Sequence, residues 1–300
     1  MQGGPNSDRE LLTASRLRAA RACLRLDHLR YREGWEAVAD ENENTAFGSL
    51  MHAALEVWWR DGGKIGTSLP LALAAIDAAS CDEFDRAKAK ALMLGYDARW
   101  SGRSISVLHV EDEFRSRLQN PGTGAASRTF DVAGKVDAIV ITGGKLLVVE
   151  HKTSSEDITP GSDYWARLNM DSQVSIYYDG ASEIFGKRVE GVLYDVIGKP
   201  KLRPFKATPE DQRKFTKDGR LYANQRDADE TPAEYERRLV EAIAAEPDRY
   251  YARGTIVRLE KEMDEARADL WQIAQVMRSS AARGMYPRNP DACVRFGRTC

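Results

Sequence analysis

The clearest pattern in the chain is a pair of apolar runs, residues 136–142 and 146–149, folded about Gly143-Gly144. Two glycines between strand-like runs favour a two-residue hairpin turn with positive φ. In that register residues equidistant from the turn face each other, so Asp137 meets Glu150. Directly opposed residues have Cβ atoms roughly 4.5–5.5 Å apart. Alternation along the second strand puts Lys152 on the face of Glu150 and turns His151 to the opposite face.

Around this hairpin the periodicity is mostly helical. Apolar spacing predicts helices over residues 11–31, 46–60, 71–79, 81–100, 163–178, 209–217, 232–245 and 257–283. Pro70 suits a first helical position. Strands are expected over residues 104–118 and 188–198, the second giving the centre βαβ character. The fold expected is α/β: a mixed β-sheet core flanked by helices, with a mostly helical C-terminal extension. Three units are expected: a basic helix and loop at 1–45, a core at 46–200, and at 201–300 a helical region with a Cys-containing tail, packed on the core.

Composition narrows the class only a little. Of 300 residues, 42% are hydrophobic and 30% charged, ordinary for a globular protein. The net charge of −2 excludes bulk attraction to a polyanion, so nucleic-acid contact requires a local basic patch. Arg16, Arg18, Arg21, Arg25, Arg30 and Arg32 form one candidate, although such a run is more often the solvated face of a helix. No run has the length and apolarity of a membrane span, and the first residues lack the parts of a signal peptide. A cytoplasmic protein is expected, with its four cysteines serving as thiols or metal ligands.

Two acids facing each other repel unless a cation lies between them. The hairpin therefore reads as a metal site with an ammonium beside it, or as an exposed acid pair offset by Lys152. Elsewhere, His52 and Glu56 share a helical face, as do Gln173 and Tyr177. On their own spacing, His52 among Leu50, Met51 and Leu55 reads as a packed residue, and Tyr177 as a core residue beside a solvated Gln173.

The ordered set Gly48-Ser-Leu-Met-His52, Gly134-Lys-Val-Asp137, Glu150-His-Lys152 and Gln173-Val-Ser-Ile-Tyr177 resembles the PD-(D/E)xK nuclease superfamily. Within it the chain looks closest to the RecB-like exonucleases of phage and prophage type. The motifs span about residues 46–196, with a looser likeness running to the C-terminus. The resemblance implies a restriction-endonuclease-like sheet and a Mg²⁺- or Mn²⁺-dependent exonuclease that hydrolyses DNA phosphodiester bonds in recombination or repair. It also implies that His52, Asp137, Glu150 and the backbone carbonyl of His151 are metal ligands. Lys152 would then orient the attacking water or stabilise charge, with Gln173 and Tyr177 positioning the catalytic groups.

Glu56 and Glu113 are weaker candidates for further acids at the site, and Tyr164, Trp165 and Arg167 for contacts to a single strand. Linear DNA or single-stranded ends are the expected partners. No Walker-type GxxxxGK[ST] run is present, so a helicase or single-strand annealing protein would be a separate chain. Cys23, Cys293 and Cys300 match where one RecB subfamily places a [4Fe-4S] clasp, which needs four thiolates. The sequence stops at Cys300, so the chain continues, or Cys81 substitutes, or no cluster forms. An endonuclease of the same superfamily, and a catalytically silent nucleic-acid-binding module on the same fold, remain the competing readings.

Overall fold

The computed structural model describes residues 9–36, 43–295 and 298–299. In chain order the first part comprises β1 (Glu10–Leu12), α1 (Ala14–Ala22), the short helix α2 (Leu24–Asp27) running into a π-turn, α3 (Glu43–Arg60), α4 (Ser68–Ala78) and α5 (Glu83–Trp100). Three strands follow, β2 (Ser106–Gln119), β3 (Ala126–Thr142) and β4 (Lys145–Ser154). Next come α6 (Asp163–Leu168), α7 (Ser172–Phe185), β5 (Gly191–Gly198), α8 (Pro232–Ala245), α9 (Pro247–Tyr250), β6 (Tyr251–Ile256) and α10 (Glu260–Arg283). A last turn of helix, α11 (Pro290–Cys293), leads to a two-stranded ribbon of β7 (Val294–Arg295) and β8 (Arg298–Thr299). Among the described residues no helix is long and apolar enough to cross a membrane.

Six strands form the mixed sheet. The hairpin pairs as the glycine turn requires, from Thr142–Lys145 to Ala138–Val149, with both turn glycines at positive φ. β4 then runs parallel to β5, and β6 closes antiparallel on β5. β3 is long enough to carry β2 along one edge, while β1 (at residues 130–132) and β4 (at 138–142) share the other. Between those two stretches, at residues 133–137, no described strand pairs with that edge.

The two sheet faces bury two separate cores. α1, α7 and α10 cover one face, where Leu17, Val174 and Met277 meet Val148 and Val192. α3, α4, α5 and α8 cover the other, where Trp59, Tyr96 and Leu239 meet Leu147 and Val149. β4 is covered on both sides, which explains why its sequence is a continuous apolar run rather than an alternation.

Several elements depart from the sequence pattern. The first helix begins only at Ala14, because Glu10–Leu12 is taken as a strand by β3. It breaks at Cys23, where the backbone is extended and Asn289, far along the chain, donates to the Ala22 carbonyl at 2.8 Å. α4 starts two residues before Pro70, so the proline is the third helical residue. The helix expected over 163–178 is two: Asp171 accepts from the Gln173 N–H at 2.9 Å and starts α7 afresh. β6 has no counterpart in the sequence reading; its central Arg253 is a strand residue because Asp195 faces it on β5. Residues 209–217 form one 3₁₀ turn, Glu210–Gln212, rather than a helix. With Phe215 as the only large apolar side chain there, a helix would have had no face to bury.

Phe114 fixes the distance between α7 and the hairpin. Its ring, on β2, lies against Gly134 of β3 and Gly180 of α7, so closely that a Cβ at either glycine would overlap it. It also meets the Tyr177 ring edge-on, with centroids 6.2 Å apart. Gly134 is therefore required by close approach and not by its φ. Gly180→Ala should destabilise the fold by about 1–3 kcal/mol through overpacking. Thermal unfolding checks this, and a melting temperature equal to wild type would refute the wedge.

Candidate active site

The candidate acids stand where β3 and β4 part. The ladder ends at Ala138–Val149, one residue short of Asp137 and Glu150. Asp137 spans the opening through its side chain, Oδ2 accepting from the His151 N–H at 2.7 Å. A carboxylate thus takes the place that a strand carbonyl would have filled. Its other oxygen lies 3.6 Å from Nδ1 of His52 on α3.

Glu150 is held from α7. Gln173 Nε2 donates to Glu150 Oε1 and contacts the Tyr177 hydroxyl, both at 2.8 Å. The Lys152 ammonium donates to the same Glu150 oxygen, and Gln173 Oε1 lies 3.5 Å from it. Glu150 is 3% exposed, whereas the Lys152 side chain is one-third exposed, so the ammonium forms the solvent side of the cluster.

Burial pushes the Glu150 carboxyl up to about 7, with Asp137 adding to the shift and Lys152 opposing it. Burial also pushes Asp137 up, yet His52 and His151 outweigh it and hold this carboxyl below the usual range. Burial disfavours the His52 cation, but Asp137 and Glu150 prevail and raise its pKa. Burial and the Glu150 charge likewise keep the Tyr177 hydroxyl protonated, where its oxygen accepts from Gln173. The environment therefore separates the two carboxylates, leaving one easily ionised and the other reluctant.

His151 points to the opposite face, as alternation requires. There Arg253 donates to Asp195 through Nε at 2.9 Å and Nη2 at 3.1 Å, and Tyr96 donates its hydroxyl to the same carboxylate. Trp59 Nε1 in turn donates to the Tyr96 oxygen at 2.9 Å. His151 Nδ1 is 3.3 Å from Asp195 Oδ2 but out of line for a hydrogen bond, and neither ring nitrogen makes one among the described residues. Burial pushes the Asp195 carboxyl up, but Arg253 and His151 override it and hold it well below the usual carboxylate range. The sequence analysis missed this network. Its one visible signal was a lone Asp in an otherwise apolar strand, Gly191–Gly198.

The remaining candidates lie outside the cluster. Glu56 pairs with Arg60 at 2.6 Å, and Glu113 joins Glu56 and Glu111 around the Lys135 ammonium. Trp165 donates to the Ile158 carbonyl at 2.8 Å and fills the space beside Gly254, a packing role. Tyr164 packs edge-on against it, and Arg167 pairs with Glu156. The N-terminal arginines are largely used internally: Arg16 is buried on Asp27 at 2.9 Å, Arg32 pairs with Glu10, and Arg25 donates to the Tyr286 carbonyl. Cys23 and Cys293 both lie near residues 287–289, Cys23 Sγ 3.9 Å from the Pro287 carbonyl and Cys293 Sγ 3.3 Å from that of Asn289. Cys81 packs against the second core instead, and Cys300 lies outside the described residues. A groove of about 720 Å³ runs along the other side of α7, past Ser172, Asp179 and α10, away from the acid pair.

Among the described residues no three His, Cys, Asp or Glu side chains converge into a closed coordination shell. The acids are braced by Lys152, Gln173 and His52. The chemistry of the donors nevertheless suits a hard divalent cation: one buried and one part-buried carboxylate side by side, and an imidazole at the rim.

A mixed sheet with a carboxylate pair and an ammonium at a strand fork, backed by a Gln–Tyr helix, has the layout of the restriction-endonuclease-like nucleases. The chain belongs to the PD-(D/E)XK nuclease superfamily, whose family model matches residues 11–296. Among solved structures, a candidate exonuclease from Eubacterium rectale is similar at 9% identity and a TM-score of 0.48, over 93% of this chain and 84% of that one. A phage-related exonuclease from Haemophilus somnus 129PT is similar at 12% identity and a TM-score of 0.33, over 78% of this chain and 95% of that one. Among curated proteins none matches. Family membership rests on the family model.

The raised Glu150 pKa predicts a pH signature. A carboxyl whose folded pKa exceeds its unfolded value weakens the fold as pH rises, here between about 4.5 and 7. A divalent cation at the site should offset that loss. The rise in melting temperature on adding Mn²⁺ should therefore be larger at pH 8 than at pH 5.5. Glu150→Gln should flatten the difference, and an equal rise at both pH values would contradict it.

Proposed function

We propose that the chain is a metal-dependent deoxyribonuclease, a cytoplasmic RecB-like exonuclease of phage or bacterial recombination or repair. The observation that carries this reading is the fork itself. A buried Glu150 stands beside a part-buried Asp137 with Lys152 at their open side, and Gln173 and Tyr177 brace Glu150. Such a cluster has little value as a stabilising device, since it concentrates like charge away from water.

Asp137, Glu150 and the His151 carbonyl would hold Mg²⁺ or Mn²⁺, with His52 completing the set from α3. When bound, the metal supplies Lewis acidity and a water of lowered pKa. Lys152 lies on the solvent side, where it can orient an attacking water or stabilise charge developing on the phosphate. Its hydrogen bond to Glu150 fixes where the ammonium stands, which suits orientation and charge stabilisation rather than a base role. Gln173 fixes the Glu150 carboxylate and holds the Tyr177 hydroxyl in place. Cys23 and Cys293 both lie against residues 287–289, but Cys81 packs in the second core, so the described cysteines bring together only two of the four thiolates a [4Fe-4S] cluster needs. A helicase or single-strand annealing protein would be its partner.

The test is end-labelled linear and closed-circular DNA incubated with Mg²⁺, Mn²⁺ or EDTA. Stepwise loss of linear DNA alone, abolished by EDTA, is the expected result. Lys152→Ala should lower turnover roughly 10²–10⁴-fold, the range for a proton-transferring or charge-stabilising group. Cutting of the circle would identify an endonuclease. DNA binding without cleavage in either protein would identify a silent binding module.

A further inference from the structure

Between β5 and α8 the chain makes an excursion of more than thirty residues with little regular structure of its own. Loops of that length in compact domains are usually functional. This one is ordered as a tongue. Thr208 N–H donates to the Arg226 carbonyl at 2.8 Å, Tyr222 N–H to that of Lys214 at 3.1 Å, and Thr216 N–H to that of Arg220 at 2.7 Å. Phe215 and Leu221 form an antiparallel bridge near the tip. The Gln225 side chain ties the arms together, accepting from Lys214 N–H and donating to the Gln212 carbonyl.

Its composition is opposite to that of the chain. Residues 199–231 hold nine Lys or Arg against six Asp or Glu, in a protein of net charge −2, and the outer part, residues 213–226, holds five against one. Lys214, Lys217 and Arg220 at the tip are exposed, and no carboxylate pairs with them among the described residues. Interleaved with them, Phe215 is 57% and Tyr222 47% exposed. A tongue that served only to cover the body would turn these rings inward.

The tongue is rooted beside the acid cluster. It leaves the sheet after Gly198, and Lys152 faces Val196 on β5, so the exit lies about 7 Å further along the strands. Lys199 N–H donates to the Ser154 carbonyl at 2.6 Å, at the end of the strand that carries Glu150 and Lys152. The Lys199 ammonium lies 5.4 Å from the ring centroid of Phe47, on the helix that bears His52.

We propose that this tongue grips a single strand of DNA leading to or from the acid cluster. Phe215 and Tyr222 stack on bases, and Lys214, Lys217 and Arg220 hold phosphates. The choice of substrate class rests on the nuclease reading. Exposed rings alternating with unpaired cations are what sequence-tolerant single-strand binding requires, since every base has a face to stack and every phosphate a charge. The same charge pattern would repel a basic protein surface.

The test is fluorescence anisotropy of fluorescein-labelled oligo(dT) with the full chain in EDTA, where no cleavage can intervene. Phe215→Ala with Tyr222→Ala should weaken binding roughly tenfold or more at unchanged melting temperature. Alanine at Lys214, Lys217 and Arg220 should lower the slope of log K against log salt by about 2. Oligo(dT) should also slow hydrogen exchange in residues 213–222 of the wild-type protein. Wild-type affinity in both variants, or no protection of the tongue, overturns the proposal. Loss in the cation variant alone, with heparin competing as well as DNA, also overturns it by reducing the tongue to a polyanion sink. The two readings fail separately: tongue-dependent binding in a chain that cuts nothing with any metal removes the nuclease reading alone. Metal-dependent cutting with tongue-independent binding removes this inference alone.

Discussion

The site depends on one interruption of hydrogen bonding. β3 and β4 pair as far as Ala138–Val149 and then separate, and the His151 N–H that loses a strand partner is met by the Asp137 carboxylate. A buried N–H left alone would cost free energy comparable to a lost hydrogen bond. The acid is therefore anchored by the same backbone need that holds the sheet together. Its position next to Glu150 follows, although the two charges repel. The fold tolerates them because Lys152, Gln173 and His52 each compensate part of that repulsion, while burial, with a smaller contribution from Asp137, still holds the Glu150 carboxyl up.

Much of this was legible from the residues. The Gly143-Gly144 turn set the register, and the register placed Asp137, Glu150 and Lys152 on one side with His151 on the other. Gln173 and Tyr177 came to Glu150 because their helical spacing was visible, although the helix start at Asp171 was not. What could not be read were contacts between distant segments. The strand Tyr251–Ile256 is defined by its pairing along β5, with Arg253 opposite Asp195, and neither residue announces a strand alone. The break at Cys23 depends on Asn289, and the rigidity of α7 on a Phe114 ring seated between two glycines. The N-terminal arginines looked like a possible phosphate surface, but Arg16, Arg25 and Arg32 have partners within the chain. A basic surface whose cations have no carboxylate partner among the described residues lies instead around residues 214–220, in a segment that helical periodicity had misread.

Arg16 and Lys214 show why counting charges from sequence misleads. Both are basic residues in polar stretches. Arg16 is 4% exposed and enclosed by Asp27 and Glu10, a pair whose breaking would leave a charge stranded away from water. Lys214 projects into solvent with no carboxylate beside it among the described residues. Only the second kind of cation is free to release counterions from a polyphosphate.

The pleat of β4 has a consequence for how such a protein can change over time. Glu150 and Lys152, to which the proposed reaction is assigned, face one surface, while His151 between them belongs to a buried aromatic and ionic network on the reverse. Losing the chemistry by altering the flanking pair leaves the reverse network, and with it the architecture, untouched. Neutralising Glu150 would even relieve a burden on the fold. A lineage can therefore retire the enzyme and keep the scaffold, whereas changes at the middle residue threaten both together.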